Sequence, residues 1–310
     1  MKRLIASVAL CLSFVLVLIG TLHTVHAEES TDPCAALTAE NFHSDACNAA
    51  IAANPVPDFV RPVTYNPDTD GRSRPRSILL PEKLPAYPIG WVLKEWYYSD
   101  KPGADLVVAK DRFYDRGQLI LVYASVKVRN FDWLLIGPDR WIMDEYIAVL
   151  HIPQRPEKVS GHWITLDLSE ETLVASIDDK PVFATLISAG WTGGYGFTHV
   201  GLYNIYARAR FTTFRGPPWA KVPEYIIDHV PYVMFFDKDV ALHGAYWHNY
   251  FGFERSHGCV NIPVGDEAWL WNFVNETVDQ WGPDTGAFFL AHPDKTPFVY
   301  VYRSAKLKTS

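Results

Sequence analysis

Short apolar runs broken by turn residues dominate the chain from residue 91 onward. In Trp163-Ile164-Thr165-Leu166-Asp167-Leu168 apolar and polar positions alternate, which predicts a strand with Ile164, Leu166 and Leu168 on its core face. Ser169-Glu170-Glu171 then makes a turn, residues 172–177 return, Asp178-Asp179-Lys180 turns again, and residues 182–188 follow. Strands joined by such short turns predict an antiparallel sheet. Further strand-like runs lie at 203–207, 232–236, 240–242 and 298–302. One stretch, 266–278, has a helical period: Trp269, Leu270, Phe273 and Val274 form its apolar stripe, and Asp266 sits near its start. Upstream, the runs 106–109, 119–123 and 133–136 are separated by Asp115-Arg116-Gly117 and Gly137-Pro138-Asp139, the pattern of a small all-β region over 89–153. Gln154-Arg155-Pro156-Glu157 reads as a junction. The class is mainly β, with one or two short helices.

The first residues have a different pattern. Lys2 and Arg3 precede an almost wholly apolar run, 4–20, and Val25-His26-Ala27 offers a cleavage site, so residues 1–27 read as an export signal. The competing reading is an uncleaved anchor, for which about 20 apolar residues are needed. Residues 35–54 are alanine-rich and suit a short helix capped by Thr38, or else a loosely ordered stalk. From 55 to 88 prolines recur too often for helix or central strand, which predicts an extended, semi-rigid linker. The expected segments are 1–27, 28–88, 89–153 and 158–303.

Composition narrows the function. Hydrophobic residues make up 48% and charged residues 20% of 310, which suits a full core. The net charge of −7 and the lack of a basic stripe give no sign of a nucleic-acid partner. No phosphate-binding glycine loop occurs and no cofactor is implied. Of four cysteines, Cys11 lies in the signal, and Cys34 and Cys47 are close enough in sequence to pair. Cys259 is left as an odd thiol in a chain read as exported.

That thiol sits in Arg255-Ser256-His257-Gly258-Cys259-Val260-Asn261, with His243 upstream in Leu242-His243-Gly244-Ala245-Tyr246-Trp247-His248. A thiol attacks carbon as thiolate, and an imidazole can take its proton and return it to a leaving amine. Gly258 has no side chain, so a carbonyl can approach the neighbouring backbone N–H groups, the usual material of an oxyanion hole. Zinc is the rival chemistry, since His243, His248, His257 and Cys259 are ligand types it accepts, but the run does not read as one helix or a tight knuckle, and no metal site is assigned. A papain-like peptidase is a further rival, but there the cysteine precedes its histidine and usually starts a helix, whereas here His243 precedes Cys259.

His243-Gly244, then Ser256-His257-Gly258-Cys259-Val260-Asn261 at that interval, resembles the catalytic motif of the L,D-transpeptidases of the YkuD type. The resemblance covers about 161–302, and 163–173 is similar to the family's opening hairpin. One departure is Thr198-His199-Val200-Gly201, where many relatives have Thr-Pro-x-Gly. The resemblance implies a β-sandwich catalytic domain. It implies Cys259 as nucleophile and His243 as base and then acid. Gly244 would orient His243 through its carbonyl, and Gly258 and Cys259 would hold the oxyanion by their N–H groups. His257 would shape the pocket, Ser256 and Asn261 would fix the loop, and Tyr246, Trp247 and His248 would line the donor cleft. Residues 133–142 resemble the end of a bacterial SH3-like domain, or else extend the next domain. The implied partners are peptidoglycan stem peptides and carbapenem-type inhibitors, with a membrane only through an uncleaved signal. The implied reaction is 3→3 cross-linking outside the cytoplasm. L,D-carboxypeptidase action, anchoring of a wall protein, and a non-catalytic wall-binding module are the alternatives.

Overall fold

The computed structural model describes residues 32–104, 112–191, 196–216, 225–277, 289–290 and 296–305. The expected signal and the apolar run 106–109 lie outside the described residues, as does the end of the 266–278 helix. No helix among the described residues is long and apolar enough to cross a membrane.

Helix α1 (Asp45–Ala53) begins where the Ser44 hydroxyl accepts the Cys47 N–H at 3.2 Å. It starts later than the alanine-rich run suggests, because Thr38 is engaged in a turn and accepts the Asn41 N–H at 3.1 Å. A Cys34–Cys47 disulfide ties α1 to the segment before it.

The proline-dense stretch is not a free linker. After the single turn α2 (Pro67–Asp70) it becomes a strap whose strand β1 (Ile78–Leu79) pairs with β12 (Lys180–Leu186), matching Ile78 with Ala184. Arg76, Ser77 and Ile78 are buried. Proline density excludes a continuous helix, and only the single turn of α2 forms, but the partners that bury this strap lie about a hundred residues or more away and leave no local signal.

Eight short strands follow: β2 (Ile89–Val92), β3 (Trp96–Tyr97), β4 (Phe113–Tyr114), β5 (Leu119–Leu121), β6 (Ala124–Val128), β7 (Phe131–Gly137), β8 (Arg140–Met143) and β9 (Ile147–Val149). They form the sheets β5-β2-β9, β3-β4 and β6-β7-β8.

The rest forms two sheets. One has the order β1-β12-β11-β10-β19-β13, adding β10 (His162–Asp167), β11 (Thr172–Ile177), β13 (Gly201–Asn204) and β19 (Phe298–Tyr302). The other runs β17-β16-β15-β14-β18, from β14 (Ala207–Gly216), β15 (Tyr225–Asp237), β16 (Val240–Gly244), β17 (Val260–Ile262) and β18 (Phe289–Leu290). Helix α3 (Val264–Asn275) follows β17 directly. Ile164, Leu166 and Phe183 from the first sheet meet Met234, Leu242 and Val260 from the second, and Leu270, Phe273 and Val274 of α3, in one core. The class is mainly β, as the periodicity predicts, and the two sheets form the sandwich that the resemblance implies. One detail differs: β10 is buried on both faces, with Trp163, Thr165 and Asp167 as hidden as Ile164 and Leu166. It lies between β11 and β19, and the strap and the small sheets add to the burial of this region, so alternation does not here mean a solvated face.

Candidate active site

Strand pairing brings the histidine and the cysteine together. β16 and β17 run parallel with Leu242 opposite Val260 and His243 opposite Asn261. One step back, Cys259 lies beside Ala241. Side chains two apart on a strand share a face, so His243 and Cys259 project to the same side. Both line one cavity of about 560 Å³, with Phe214 and Tyr225 of the β14–β15 hairpin, and Trp247 and His257.

His243 is buried, with Phe214 edge-on at 4.9 Å and Trp247 stacked at 5.8 Å. Its Nδ1 lies 3.2 Å from the Gly244 carbonyl, which can only accept. The ring proton is therefore on Nδ1, and Nε2 is left with a lone pair. Burial lowers the His243 pKa to about 4, against the Gly244 carbonyl and with help from His248. Cys259 is half-buried, and its Sγ lies 3.6 Å from the Asp239 carbonyl. Burial raises its pKa to about 11. The Ala241 backbone opposes this and the Asp239 charge adds to it. Thiol and imidazole are thus both neutral at rest, and a thiolate forms only as the proton moves.

The loop carrying Cys259 is docked on residues 188–191 and 196–198. Ser188 and Asn261 exchange backbone hydrogen bonds at 2.8 and 2.9 Å, and the Arg255 and Ser256 N–H groups both reach the Ala189 carbonyl at 3.0 Å. The Ala189 N–H in turn donates to the buried Glu171 carboxyl at 2.6 Å, and burial raises that carboxyl to about 8. Thr198 Oγ1 accepts from the Gly190 N–H at 2.9 Å and donates to the Gly258 carbonyl at 2.8 Å. Gly258 has φ +127°, in the region that favours glycine, and its Cα sits 2.7 Å from where a Cβ on Gly190 would be. Thr198 and Glu171 carry no signal of their own in sequence. Thr198 stood out only as the start of an atypical turn.

The expected site residues divide. Cys259, His243, His257, Ser256, Asn261 and Trp247 line the cavity. Gly244 supports His243 from below. Ser256 brackets Cys259: its hydroxyl donates to the Cys259 carbonyl and accepts the Gly258 N–H at 3.1 Å. The Gly258 N–H, expected to serve an oxyanion, is here donated to Ser256. Tyr246 and His248 are not cavity residues. The Tyr246 hydroxyl donates to the Asp228 carbonyl at 2.8 Å. His248 is buried behind Asn261, its Nδ1 accepting the Tyr250 N–H at 3.1 Å and its Nε2 lying 2.9 Å from the Asn261 amide. With Nδ1 accepting, Nε2 carries the proton, and the Asn261 amide oxygen must face it. Residues 246–248 fail as one patch because successive side chains of a tight loop point in different directions.

Among the described residues no group of three or more His, Cys, Asp or Glu side chains is arranged to hold a metal ion.

No curated protein matches the chain. Solved structures do. An L,D-transpeptidase (Yku) from Stackebrandtia nassauensis is 22% identical with a TM-score of 0.34, covering 49% of this chain and 60% of its own. The catalytic domain of the E. faecium L,D-transpeptidase is 22% identical with a TM-score of 0.36, covering 47% and 99%. The same domain acylated by ertapenem is 22% identical with a TM-score of 0.33, covering 46% and 98%. The family model YkuD, the L,D-transpeptidase catalytic domain, matches residues 161–297, and that stretch of the chain is similar to this domain.

Proposed function

We propose that the protein is a cysteine-dependent L,D-transpeptidase of peptidoglycan, acting outside the cytoplasm. The observation that carries this reading is the shared cavity: an odd thiol and a histidine with an unprotonated Nε2 face one space, inside a domain of the matching family. In the first half-reaction the Cys259 sulfur attacks the carbonyl of the third residue of a tetrapeptide stem. His243 Nε2 takes the thiol proton as the S–C bond forms. The C–N bond to the terminal D-Ala breaks, the same proton passes to that departing amine, and the stem is held as a thioester. In the second half-reaction an amine of a neighbouring stem gives its proton to His243, attacks the thioester and releases the thiol, leaving a 3→3 cross-link. The oxyanion falls to the Cys259 N–H, with His257 at the rim, because the Gly258 N–H is committed to Ser256.

Carbapenems, known here as acylating ligands of the E. faecium domain through ertapenem, test the nucleophile. Intact-protein mass spectrometry after incubation should show one added drug mass, located to Cys259, and none on Cys259→Ala. An unmodified wild-type protein after long incubation ends the proposal. With a tetrapeptide stem as sole substrate, cross-linked dimer distinguishes transpeptidation from hydrolysis to the tripeptide.

A further inference from the structure

We infer that five arginines from three separate segments form an anion subsite that leads out of the catalytic cavity and takes the free carboxylates of a peptide stem. This rests on the transpeptidase reading and adds to it a determinant of which stems are bound.

The five are traced through contacts. The guanidinium of Arg76 packs on Gly117, where a Cβ would come within 2.4 Å of its Nη1, and Arg61 donates to the Gly117 carbonyl at 3.5 Å. Arg76 also donates to Asn249 Oδ1 at 3.2 Å, and the Arg74 backbone N–H reaches the same oxygen at 3.1 Å, while the Arg74 guanidinium lies over the Tyr65 ring at 4.7 Å, near enough to be felt by Arg76. Beside Asn249, the ring of Tyr250 is 49% exposed and carries two guanidiniums, Arg116 at 5.1 Å and Arg255 at 4.5 Å. Arg255 lines the cavity that holds Cys259.

The charge on this surface is not neutralised from within. Among the described residues, ion pairs of arginine with a carboxylate involve Arg112, Arg155 and Arg303, and none of the five. Asp266 and Glu95 are near enough to be felt by Arg76 and Arg116 respectively. Asp266 is felt by Arg61 as well, and its oxygens accept from Ser77, Thr185 and the Arg76 backbone, so these two carboxylates face five guanidiniums without pairing with any of them. Burial first, then Arg116, with Arg61 and Arg74 adding, lowers the Arg76 pKa to about 10 against the pull of Asp266. In a chain of net charge −7, such crowding of like charge opposes folding and is relieved by an anion. A guanidinium stacked on an aromatic face keeps its in-plane N–H donors for a carboxylate fork. A peptide stem reaching from Cys259 past Arg255 meets these donors next.

The test is calorimetric binding to the Cys259→Ala protein, which binds without turnover, of a synthetic tetrapeptide stem with its carboxylates free or all amidated. The free form should bind about tenfold more tightly, a preference that shrinks as salt is raised. In Arg74→Gln/Arg116→Gln the preference should fall to about twofold or less. Arg74→Lys/Arg116→Lys keeps the charge and should retain the salt dependence, which separates electrostatics from packing. Equal affinity of the two peptides, or a preference untouched by the double glutamine variant, overturns the subsite. A carbapenem adduct on the wild-type protein is read separately, so the subsite can fail while the nucleophile stands.

Discussion

At the scale of single residues, the environment of the pair decides how the thiol is activated. With His243 lowered to about 4 and Cys259 raised to about 11, the neutral pair is the resting form across the physiological range. This differs from cysteine enzymes whose thiolate is pre-formed by a depressed pKa. In the proposed reaction His243 acts unprotonated, so activity is lost as pH falls through about 4. It also needs a thiol proton for the leaving amine, which persists to about 11. kcat/KM on a tetrapeptide donor should therefore be flat from about pH 5 to pH 9 and fall only on the acid side of that window. An acid limb near the ordinary histidine value of 6.5 would show that water reaches His243 and would refute the neutral-pair scheme. Much at this scale was legible in sequence. The string around Cys259 and the odd-cysteine count point to one sulfur, and the resemblance pairs it with His243; the parallel register that brings the two together is seen only in the structure. The use of the Gly258 N–H by Ser256 was not legible, because it depends on the course of the turn. The same holds for His248, which backs Asn261 from the buried side of a loop.

At the scale of elements, the junction of the strap with α3 positions the catalytic strands. Pro263 precedes α3 and offers no side-chain cap, and the Val264 N–H is instead accepted by Ser73 Oγ at 3.0 Å, from the strap. Asp266, fully buried in the first turn, accepts from the Arg76 N–H at 2.8 Å and from the Ser77 and Thr185 hydroxyls, each at 2.6 Å. Burial raises its pKa and these donors oppose that rise. Strap, β12 and α3 are thus joined at one carboxylate, immediately after β17. Ser73→Ala should cost about 1 kcal/mol, the usual size of a lost helix cap. Asp266→Ala strands three buried donors and should cost about 3 kcal/mol or more. Chemical denaturation measures both, and equal small losses would show that the strap is only laid against the helix. Local periodicity predicted α3 and most strands of the sandwich, because each writes its own repeat. It could not predict the strap, whose ordering comes from partners distant in the chain.

At the scale of the molecule, residues before and after 158 share a core. Ile51, Trp91, Tyr123 and Trp141 from the first half lie in one buried cluster with Val174, Leu186, Ala245 and Phe251 from the second. Ala245 adjoins the loop whose carbonyl at Gly244 holds His243, and the Gly252 N–H donates to Ile187 O at 2.7 Å, just ahead of Ser188 and its Asn261 partner. Removing the first half therefore uncovers apolar surface at Ala245 and Phe251, between His243 and the Cys259 loop in the chain, at roughly 25 cal/mol per Å² of apolar area. It also removes β1 from the edge of the larger sheet. A segment starting at residue 158 should unfold at markedly lower denaturant than the chain from residue 32, which should unfold in a single transition. Its Cys259 should be acylated by a carbapenem at least tenfold more slowly, since the loops that hold His243 and Asn261 lose their backing. Equal midpoints and equal acylation rates would mean that the catalytic sandwich holds its site alone. The first half would then serve only the arginine surface beside the cavity, a role that the peptide-binding experiment on Arg74 and Arg116 reads independently.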